Sequence, residues 1–281
     1  MNYNEIAPVI VKWLEDKRTA AGMKGFVVGV SGGIDSALVS TLCALTGAPT
    51  FLLNMPINQA KDQYNRADNH IRWLMSKYKN VSTACVSLGA TFGQLKYDLN
   101  VITLNNEGGS LRPQMSKLAL ANAKARLRMT ALYAYANSLG SLVVGTGNKV
   151  EDFGVGFFTK YGDGGVDLSP IGDLLKTEVR GMAAYLGVDN DIVTAVPTDG
   201  LWEDNRSDEA QIGCSYEQLE EALTFCEREE IQTLDEYIIM KNRGTYPAMT
   251  PEFDKILQTY LQRHTTSKHK MGMPPVCHLY E

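Results

Sequence analysis

The run SGGIDS at residues 31–36 combines side chains and backbone that suit phosphate chemistry. It follows a β-branched apolar run and precedes an apolar segment of helical period. Two adjacent glycines let backbone N–H groups converge, and a helix start adds unpaired donors with a partial positive charge. Asp35 would repel an anion unless a cation such as Mg2+ lies between them. The run therefore predicts a phosphate-binding turn with a divalent cation. It is not a Walker A loop, because no Gly-Lys-Ser/Thr follows at the required spacing.

Three later features carry further polar chemistry. Residues 146–151, TGNKVE, leave a predicted strand with a hydroxyl, an amide, a base and an acid, and residues 157–167 place two phenylalanines before a glycine-rich turn. A plain surface turn would not need these aromatic residues, whereas binding of a planar, phosphorylated ligand would explain them. Lys176 lies near the start of a predicted helix, where a cation is unfavourable unless an anion lies beside it.

The elements that must position these residues alternate between strands and helices. Strands are predicted at residues 25–30, 50–55, 81–88 and 141–145, and helices at 34–45, 60–78, 114–139, 169–186, 216–229, 234–242 and 251–262. An N-terminal helix is predicted to bury one face formed by Ile6, Val9, Ile10, Trp13 and Leu14. This alternation predicts an α/β fold, a doubly wound parallel sheet flanked by helices, with ligands at the carboxyl ends of the strands.

Composition limits the class of protein. The chain has 281 residues, 44% of them hydrophobic, and a formal net charge of −5, which argues against broad nucleic-acid binding. No apolar run reaches the roughly 18 residues of a membrane span, and the first residues lack a signal-peptide pattern. The five cysteines are scattered, so a disulfide framework or zinc site is not expected, and a reducing cytoplasm is the predicted setting. The length favours a single domain over residues 1–281.

Four segments have a less specific interpretation. Residues 105–109, NNEGG, predict a mobile turn, and the polar residues 199–213 predict a lid that closes over ligands. The basic residues of the helix at 114–139 could form a solvated face, and the basic stretch at 267–270 could be a disordered tail.

Several motifs, in order along nearly the whole chain, resemble those of the NAD synthetases. They are SGGIDS, which by itself is typical of the wider N-type ATP pyrophosphatases, then NAKARLRM at 122–129, GTGNKVE at 145–151, TKYGDGGVD at 159–167, and the shorter matches Lys176-Thr177, Pro197-Thr198, Ser207-Asp208-Glu209 and His269-Lys270. The chain resembles the short, ammonia-dependent class, without a glutamine-hydrolysing domain. Met271 stands where the family often has arginine.

The resemblance implies a fold like that of the adenine nucleotide alpha hydrolases and a reaction in two steps. The nicotinate carboxylate of deamido-NAD attacks the α-phosphorus of ATP, releasing pyrophosphate, and ammonia then displaces AMP to give NAD in the last step of its biosynthesis. Mg2+ is the implied cofactor and ATP a co-substrate. A homodimer is the implied assembly.

The resemblance also implies roles for individual residues. Asp35 and Lys176 match catalytic residues, and Asp35 and Glu151 match metal-binding carboxylates. The ATP contacts are matched by Gly29, Val30, Ser31, Gly32, Gly33, Ile34, Asp35, Ser36, Thr146, Lys176 and Thr198. The deamido-NAD contacts are matched by Arg126, Lys160, Asp167, His269 and Lys270.

Two other functions compete with this one. Another AMP-forming amidating enzyme, such as the synthetase part of GMP synthetase, would share SGGIDS but not the TKYGDGGVD run. A nucleotide-binding sensor without catalysis would keep the glycines but would not need carboxylates on two loops.

Overall fold

The computed structural model describes residues 1–99, 103–104, 110–111, 115–198, 200–202, 206–244 and 249–279, with backbone alone at 103–104 and 110–111. The predicted turn at 105–109 lies outside these residues. The strands are β1 (Gly25–Gly29), β2 (Thr50–Asn54), β3 (Val81–Cys85), β4 (Thr103–Leu104), β5 (Ser110–Leu111) and β6 (Ser141–Val144). The α-helices are α1 (Tyr3–Ala20), α2 (Ile34–Leu45), α3 (Lys61–Lys77), α4 (Gly89–Leu99), α5 (Lys117–Leu139), α6 (Lys176–Tyr185), α7 (Asn190–Val193), α8 (Asp208–Ile212), α9 (Tyr216–Arg228), α10 (Leu234–Asn242) and α11 (Pro251–Met271). A π-helical segment spans Lys149–Val155.

The main sheet has the strand order β3-β2-β1-β6, and every pairing in it is parallel. Val28 at the centre pairs with Leu52 on one side and Val144 on the other. The central strand β1 is apolar and buried throughout most of its length, as a parallel sheet covered on both faces requires. This confirms the predicted α/β parallel sheet flanked by helices.

The buried residues form three hydrophobic clusters, two of them on the faces of the sheet. One face packs against α1, α2, α3 and α6 through residues such as Leu14, Leu38, Leu74 and Met182. The other face packs against α5 through Met129 and Leu132, with Phe92 of α4 beside them. A third cluster joins α9, α10 and α11 to the π-helical segment, so that the C-terminal helices are bound to the segment that follows β6.

Some boundaries differ from the prediction. Val9 is 67% and Trp13 36% exposed, so the predicted face of α1 was wrong at both; the helix instead buries Ala7, Ile10 and Leu14, because its contact stripe is rotated toward Ala7. Helix α6 begins only at Lys176. Helix α11 continues to Met271, so that residues 267–270 are helical and not a disordered tail. Among the described helices, none is both long and apolar enough to cross a membrane.

Candidate active site

A cavity of about 250 Å³ lies at the carboxyl ends of β1 and β6. Its lining includes the whole glycine-rich turn and also Thr146, Glu151, Lys176 and Thr198. These are all the residues whose motifs predicted contacts to ATP or metal. Segments far apart in the chain meet here because the carboxyl ends of neighbouring parallel strands share one edge of the sheet.

The turn between β1 and α2 is stabilised by hydrogen bonds to the Ser36 hydroxyl within it. The backbone N–H of Ser31 donates to Ser36 Oγ at 3.2 Å, and the Ser36 hydroxyl donates to the carbonyl of Gly33 at 2.9 Å. Gly32 has φ +85°, and a Cβ there would lie 2.4 Å from the carbonyl oxygen of Gln63. Only glycine fits this position, and the turn leads directly into the N-terminus of α2, where an anion is stabilised.

An ion cluster of Asp35, Glu151 and Lys176 lies at one wall of the cavity. Lys176 Nζ donates to Asp35 Oδ2 at 2.6 Å and to Glu151 Oε1 at 2.9 Å. The lysine is 1% exposed. A buried ammonium is tolerated only beside anions, and these two carboxylates are the anions that its position at the start of α6 required.

The cluster shifts the proton affinities of its members. Burial would lower the pKa of Lys176, but the charges of Asp35 and Glu151 outweigh it, so the pKa is raised and the lysine stays charged. Burial raises the pKa of Asp35, and the neighbouring Lys176 offsets only part of that rise. Burial also acts on Glu151, but Lys176 and a hydrogen bond from Tyr216 outweigh it and lower its pKa.

Asn148 and Tyr216 fix the two carboxylates. Asn148 is fully buried; its Nδ2 donates to Asp35 Oδ1 at 3.0 Å, and its Oδ1 accepts from the Glu151 N–H at 3.0 Å. The second bond caps the π-helical segment that carries Glu151. The Tyr216 hydroxyl donates to Glu151 Oε1 at 2.5 Å. Asp35 and Glu151 are therefore held in place by neutral side chains as well as by Lys176.

The donor set at this wall fits a magnesium ion. Asp35 Oδ2 and Glu151 Oε1 lie 2.6 and 2.9 Å from the same Lys176 nitrogen, so the two carboxylates are close enough to each other to share one cation. Across the part of the chain that the structure describes, no group of three or more His, Cys, Asp or Glu side chains could hold a metal ion. One or two carboxylates completed by substrate phosphates are the usual protein contribution to Mg2+ in nucleotide sites.

The residues predicted to bind deamido-NAD do not line this cavity. Four of them meet around the loop after the π-helical segment: Arg126 Nε donates to the carbonyl of Lys160 at 3.1 Å, and Lys160 Nζ donates to the carbonyl of His269 at 2.8 Å. Lys270 Nζ donates to the carbonyls of Gly156 and Phe158. The end of α11 is thereby tied to the glycine-rich loop.

Asp167 lies apart from these four residues. Its Oδ1 accepts from the hydroxyl of Tyr133 at 2.9 Å, and its Oδ2 accepts from the Val143 N–H at 2.8 Å. Both carboxylate oxygens therefore have partners within the chain, one of them on β6.

Several cavity residues were not predicted as site residues from the sequence, among them the polar residues Gln63, Arg128, Asp152 and Asp163. Asp152 directly follows Glu151, and Asp163 lies within the TKYGDGGVD run, so adjacency was a usable signal for both. Burial raises the pKa of each of these carboxyl groups. Arg128 lies two positions after Arg126 on α5, and of these two residues it is Arg128 that reaches the cavity, with its Nε donating to the carbonyl of Met55 at 3.1 Å. Gln63 gave no signal of its own.

A glycine-rich turn after a parallel strand, with two carboxylates and a lysine beside it, is typical of α/β enzymes that bind a nucleotide and react at its phosphates. Comparison with known proteins narrows this class. The family model NAD synthase matches residues 6–274. The chain therefore belongs to the NAD synthase family.

Individual relatives agree with this membership. The chain is 36% identical over 278 residues to the NH3-dependent NAD+ synthetase of Archaeoglobus fulgidus, covering 98% of this chain and 97% of the relative. It is 39% identical to that of Carboxydothermus hydrogenoformans over 224 residues, covering 79% and 86%. Among solved structures it is similar to an NMN synthetase from Francisella tularensis, with 27% identity, 99% of both chains covered and a TM-score of 0.78. It is also similar to an NH3-dependent NAD synthetase from Campylobacter jejuni, with 25% identity, 99% and 100% covered and a TM-score of 0.72. The chain is a ligase of NAD biosynthesis that uses ATP, as the motifs predicted.

Proposed function

We propose that the cavity holds ATP with Mg2+, that deamido-NAD is adenylated there at its nicotinate carboxylate, and that ammonia then displaces AMP to give NAD. The observation that carries this proposal is the ion cluster of Lys176, Asp35 and Glu151 facing the glycine-rich turn. The cluster would place the Lys176 ammonium and a bound Mg2+ beside the phosphates of ATP. These cations are needed because the attacking carboxylate and the phosphates are both negatively charged.

In the first step a nicotinate oxygen forms a bond to the α-phosphorus and pyrophosphate leaves with the electron pair of the broken P–O bond. The N–H groups of the turn and the N-terminus of α2 stabilise the leaving pyrophosphate. An ammonium has three donors, of which Lys176 uses two on its carboxylates, so the third can donate to a phosphate oxygen. A bound Mg2+, held by Asp35 and Glu151, would supply further neutralisation of phosphate charge.

In the second step the lone pair of ammonia attacks the acyl carbon, AMP leaves and a proton is lost. Water must be kept from the adenylate. Residues 195–198 and 200–202 support this, since Nε2 of Gln63 donates to the Thr198 hydroxyl at 2.5 Å and Lys124 Nζ donates to the carbonyl of Leu201 at 2.8 Å. These bonds hold Thr198 against α3 and Leu201 against α5 beside the cavity.

Part of the predicted lid at 199–213 is a packed helix and not a mobile segment. Residues 208–212 form helix α8, in which Asp208 and Ile212 are buried, so this part is packed against the protein. Asp199, Glu203 and Asp204 lie outside the described residues.

Four further features belong to the proposal. Arg126, Lys160, His269 and Lys270 would contact deamido-NAD, supported by their clustering around one loop, and Asp167 is proposed with them on its motif alone. The chain would work as a homodimer, and as a single domain that takes free ammonia. The cytoplasm is the proposed compartment, supported by five cysteines that are all free.

The test is pyrophosphate release on mixing the protein with ATP, Mg2+, ammonium and deamido-NAD. Rapid release with deamido-NAD, and formation of NAD, supports the proposal. Because the likeness to the Francisella structure favours it as a second candidate acid, nicotinate mononucleotide is tested in parallel. Faster turnover of the mononucleotide, with NMN as product, would mean that deamido-NAD is not the main substrate.

A further inference from the structure

Helix α9 reaches the ion cluster with two side chains on one face. Tyr216, its first residue, is fully buried and donates to Glu151 at 2.5 Å. Glu220, four residues later and therefore on the same face, accepts from the Thr177 N–H at 2.9 Å and from the Thr177 hydroxyl at 2.7 Å. Thr177 directly follows Lys176. One helix thus contacts Glu151 directly and the backbone that carries Lys176.

The position of α9 is itself well determined. Ser215 caps the helix: its Oγ accepts from the Gln218 N–H, and its own N–H donates to Gln218 Oε1. The Tyr216 N–H donates to Glu209 Oε1 of α8 at 3.0 Å. These bonds satisfy donors at the helix start and fix the direction in which Tyr216 leaves the backbone.

Tyr216 contacts two of the three charged residues of the cluster, Glu151 and Lys176, through different parts of its side chain. The hydroxyl bonds Glu151, whereas the ring face lies under Lys176, with 5.0 Å between Nζ and the ring centroid. Burial raises the pKa of the phenol, and the nearby carboxylates of Glu151 and Asp208 raise it further, so that the hydroxyl keeps its proton and remains a donor.

We propose that α9 is a positioning element for the active site, in which the Tyr216 hydroxyl aims the Glu151 carboxylate at Mg2+ and Glu220 fixes the backbone beside Lys176. This inference rests on the metal role proposed above for Glu151. Tyr216 and Glu220 act through other residues, so they are positioning residues. Hydrogen bonds to the carboxylates that hold a metal orient them and tune their affinity.

Tyr216→Phe isolates the hydroxyl, because the ring stays under Lys176. The probe is Mn2+, whose dissociation constant is measured by EPR in the presence of a non-hydrolysable ATP analogue. The second quantity measured is the Mg2+ concentration that gives half-maximal pyrophosphate release. We expect both quantities to rise about tenfold or more in Tyr216→Phe, the range found when such an orienting partner is removed.

Tyr237→Phe is the matched control. Tyr237 is also fully buried in the C-terminal helical cluster and its hydroxyl donates to a carboxylate, that of Asp254. This control should lose stability in urea denaturation but keep the wild-type dissociation constant for Mn2+. An equal rise in both variants would show that the effect comes from general loosening of the cluster and would overturn the proposal.

Thr177→Val tests the other contact of α9. It removes the hydroxyl bond to Glu220 and keeps the shape of the side chain and the backbone bond. We expect a KM for ATP raised about threefold, because the retained backbone bond to Glu220 keeps the segment beside Lys176 partly in place, with Mn2+ binding within about twofold of wild type. If Tyr216→Phe fails to fold, this variant decides, and a wild-type KM for ATP would refute the inference.

Glu151→Gln separates this inference from the proposed function. If Glu151→Gln loses Mn2+ and Tyr216→Phe does not, the metal role stands and the role of α9 is wrong. If Glu151→Gln binds Mn2+ as tightly as wild type, the metal role falls and the inference falls with it.

Discussion

The ammonium of Lys176 lies 2.6 Å from Oδ2 of Asp35, although the two residues are 141 positions apart in the chain. Asp35 stands in the first turn of α2, and Lys176 is the first residue of α6. A lysine at a helix N-terminus opposes the helix dipole, and burial makes its charge costlier still. The ion pair explains why Lys176 is tolerated both at the N-terminus of α6 and in a buried position, because the fold brings its ammonium to the carboxylates of the nucleotide site.

The ion pair determines what Asp35→Asn should do. Adenylation should be lost because a carboxylate of the metal and phosphate site is removed. The fold should survive with reduced stability, since losing one partner of a buried ion pair costs about 3–5 kcal/mol at most and Glu151 still faces Lys176. Urea denaturation and pyrophosphate release measure the two effects. Near-normal turnover would refute the assigned role.

Gly32 and Gly33 should respond differently to alanine. At Gly32 the positive φ and the carbonyl of Gln63 leave no room for a methyl group, whereas at Gly33 the nearest atom is Ser31 Oγ at 3.4 Å. Gly32→Ala should lower the free energy of unfolding by about 1–3 kcal/mol through backbone strain. Gly33→Ala is the control, and its free energy of unfolding should stay within about 0.5 kcal/mol of the wild-type value. Equal midpoints in urea would contradict the strained conformation.

His70 should make stability fall as the medium is acidified. Its Nε2 lies 3.0 Å from Ser40 Oγ, and burial lowers its pKa to about 4, against the opposing effects of the Ala37 backbone and Asp189. Between this value and the ordinary one of about 6.5 the unfolded chain binds more protons, so stability rises with pH across that window.

The measurement is urea denaturation of wild type and His70→Gln at pH 7 and pH 5. Wild type should lose about 2 kcal/mol more than the variant between these two values. The variant shares every other titrating group, so identical losses would show that His70 does not titrate in this window.

Lys160→Ala should weaken binding of deamido-NAD more than binding of ATP. Lys160 does not line the nucleotide cavity, and its ammonium bonds the carbonyl of His269. Calorimetric titration with each ligand separately gives the two dissociation constants. A similar loss for both ligands would place Lys160 in the ATP site or show that it acts on the fold.

Glutamine should not replace ammonium as nitrogen donor. The described lining of the cavity contains neither cysteine nor histidine, so its serine and threonine hydroxyls have no imidazole base to activate them for amide hydrolysis. NAD formation is measured with glutamine or ammonium at equal concentration. Turnover with glutamine that survives removal of traces of ammonia would contradict the ammonia-dependent assignment.

The parallel sheet and the nucleotide site could be predicted because their signals are local. Residues 31–36 and the β-branched run before them predict a strand, a turn and a helix start within a dozen positions. Helix α2 has the predicted bounds. The placement of Lys176 against the dipole also signalled an anion, although not which one.

The role of Tyr216 and the helical conformation of residues 263–271 could not be predicted, because both depend on contacts between distant segments. Tyr216 is 65 residues from the glutamate that its hydroxyl bonds, and its sequence neighbourhood is that of an ordinary amphipathic helix. Helix α11 extends past a polar stretch since its last turn bonds carbonyls more than 100 residues away, among them that of Phe158. Tertiary contacts here override the local pattern.

Exchange of labelled pyrophosphate into ATP, with Mg2+ and without ammonium, tests the proposed adenylation most directly. Exchange requires an acyl adenylate that can return to ATP, so it should appear only when deamido-NAD is present and should disappear in Asp35→Asn and Glu151→Gln. Exchange that needs ammonium, or that proceeds with another acid but not with deamido-NAD, would contradict an adenylated deamido-NAD in this cavity.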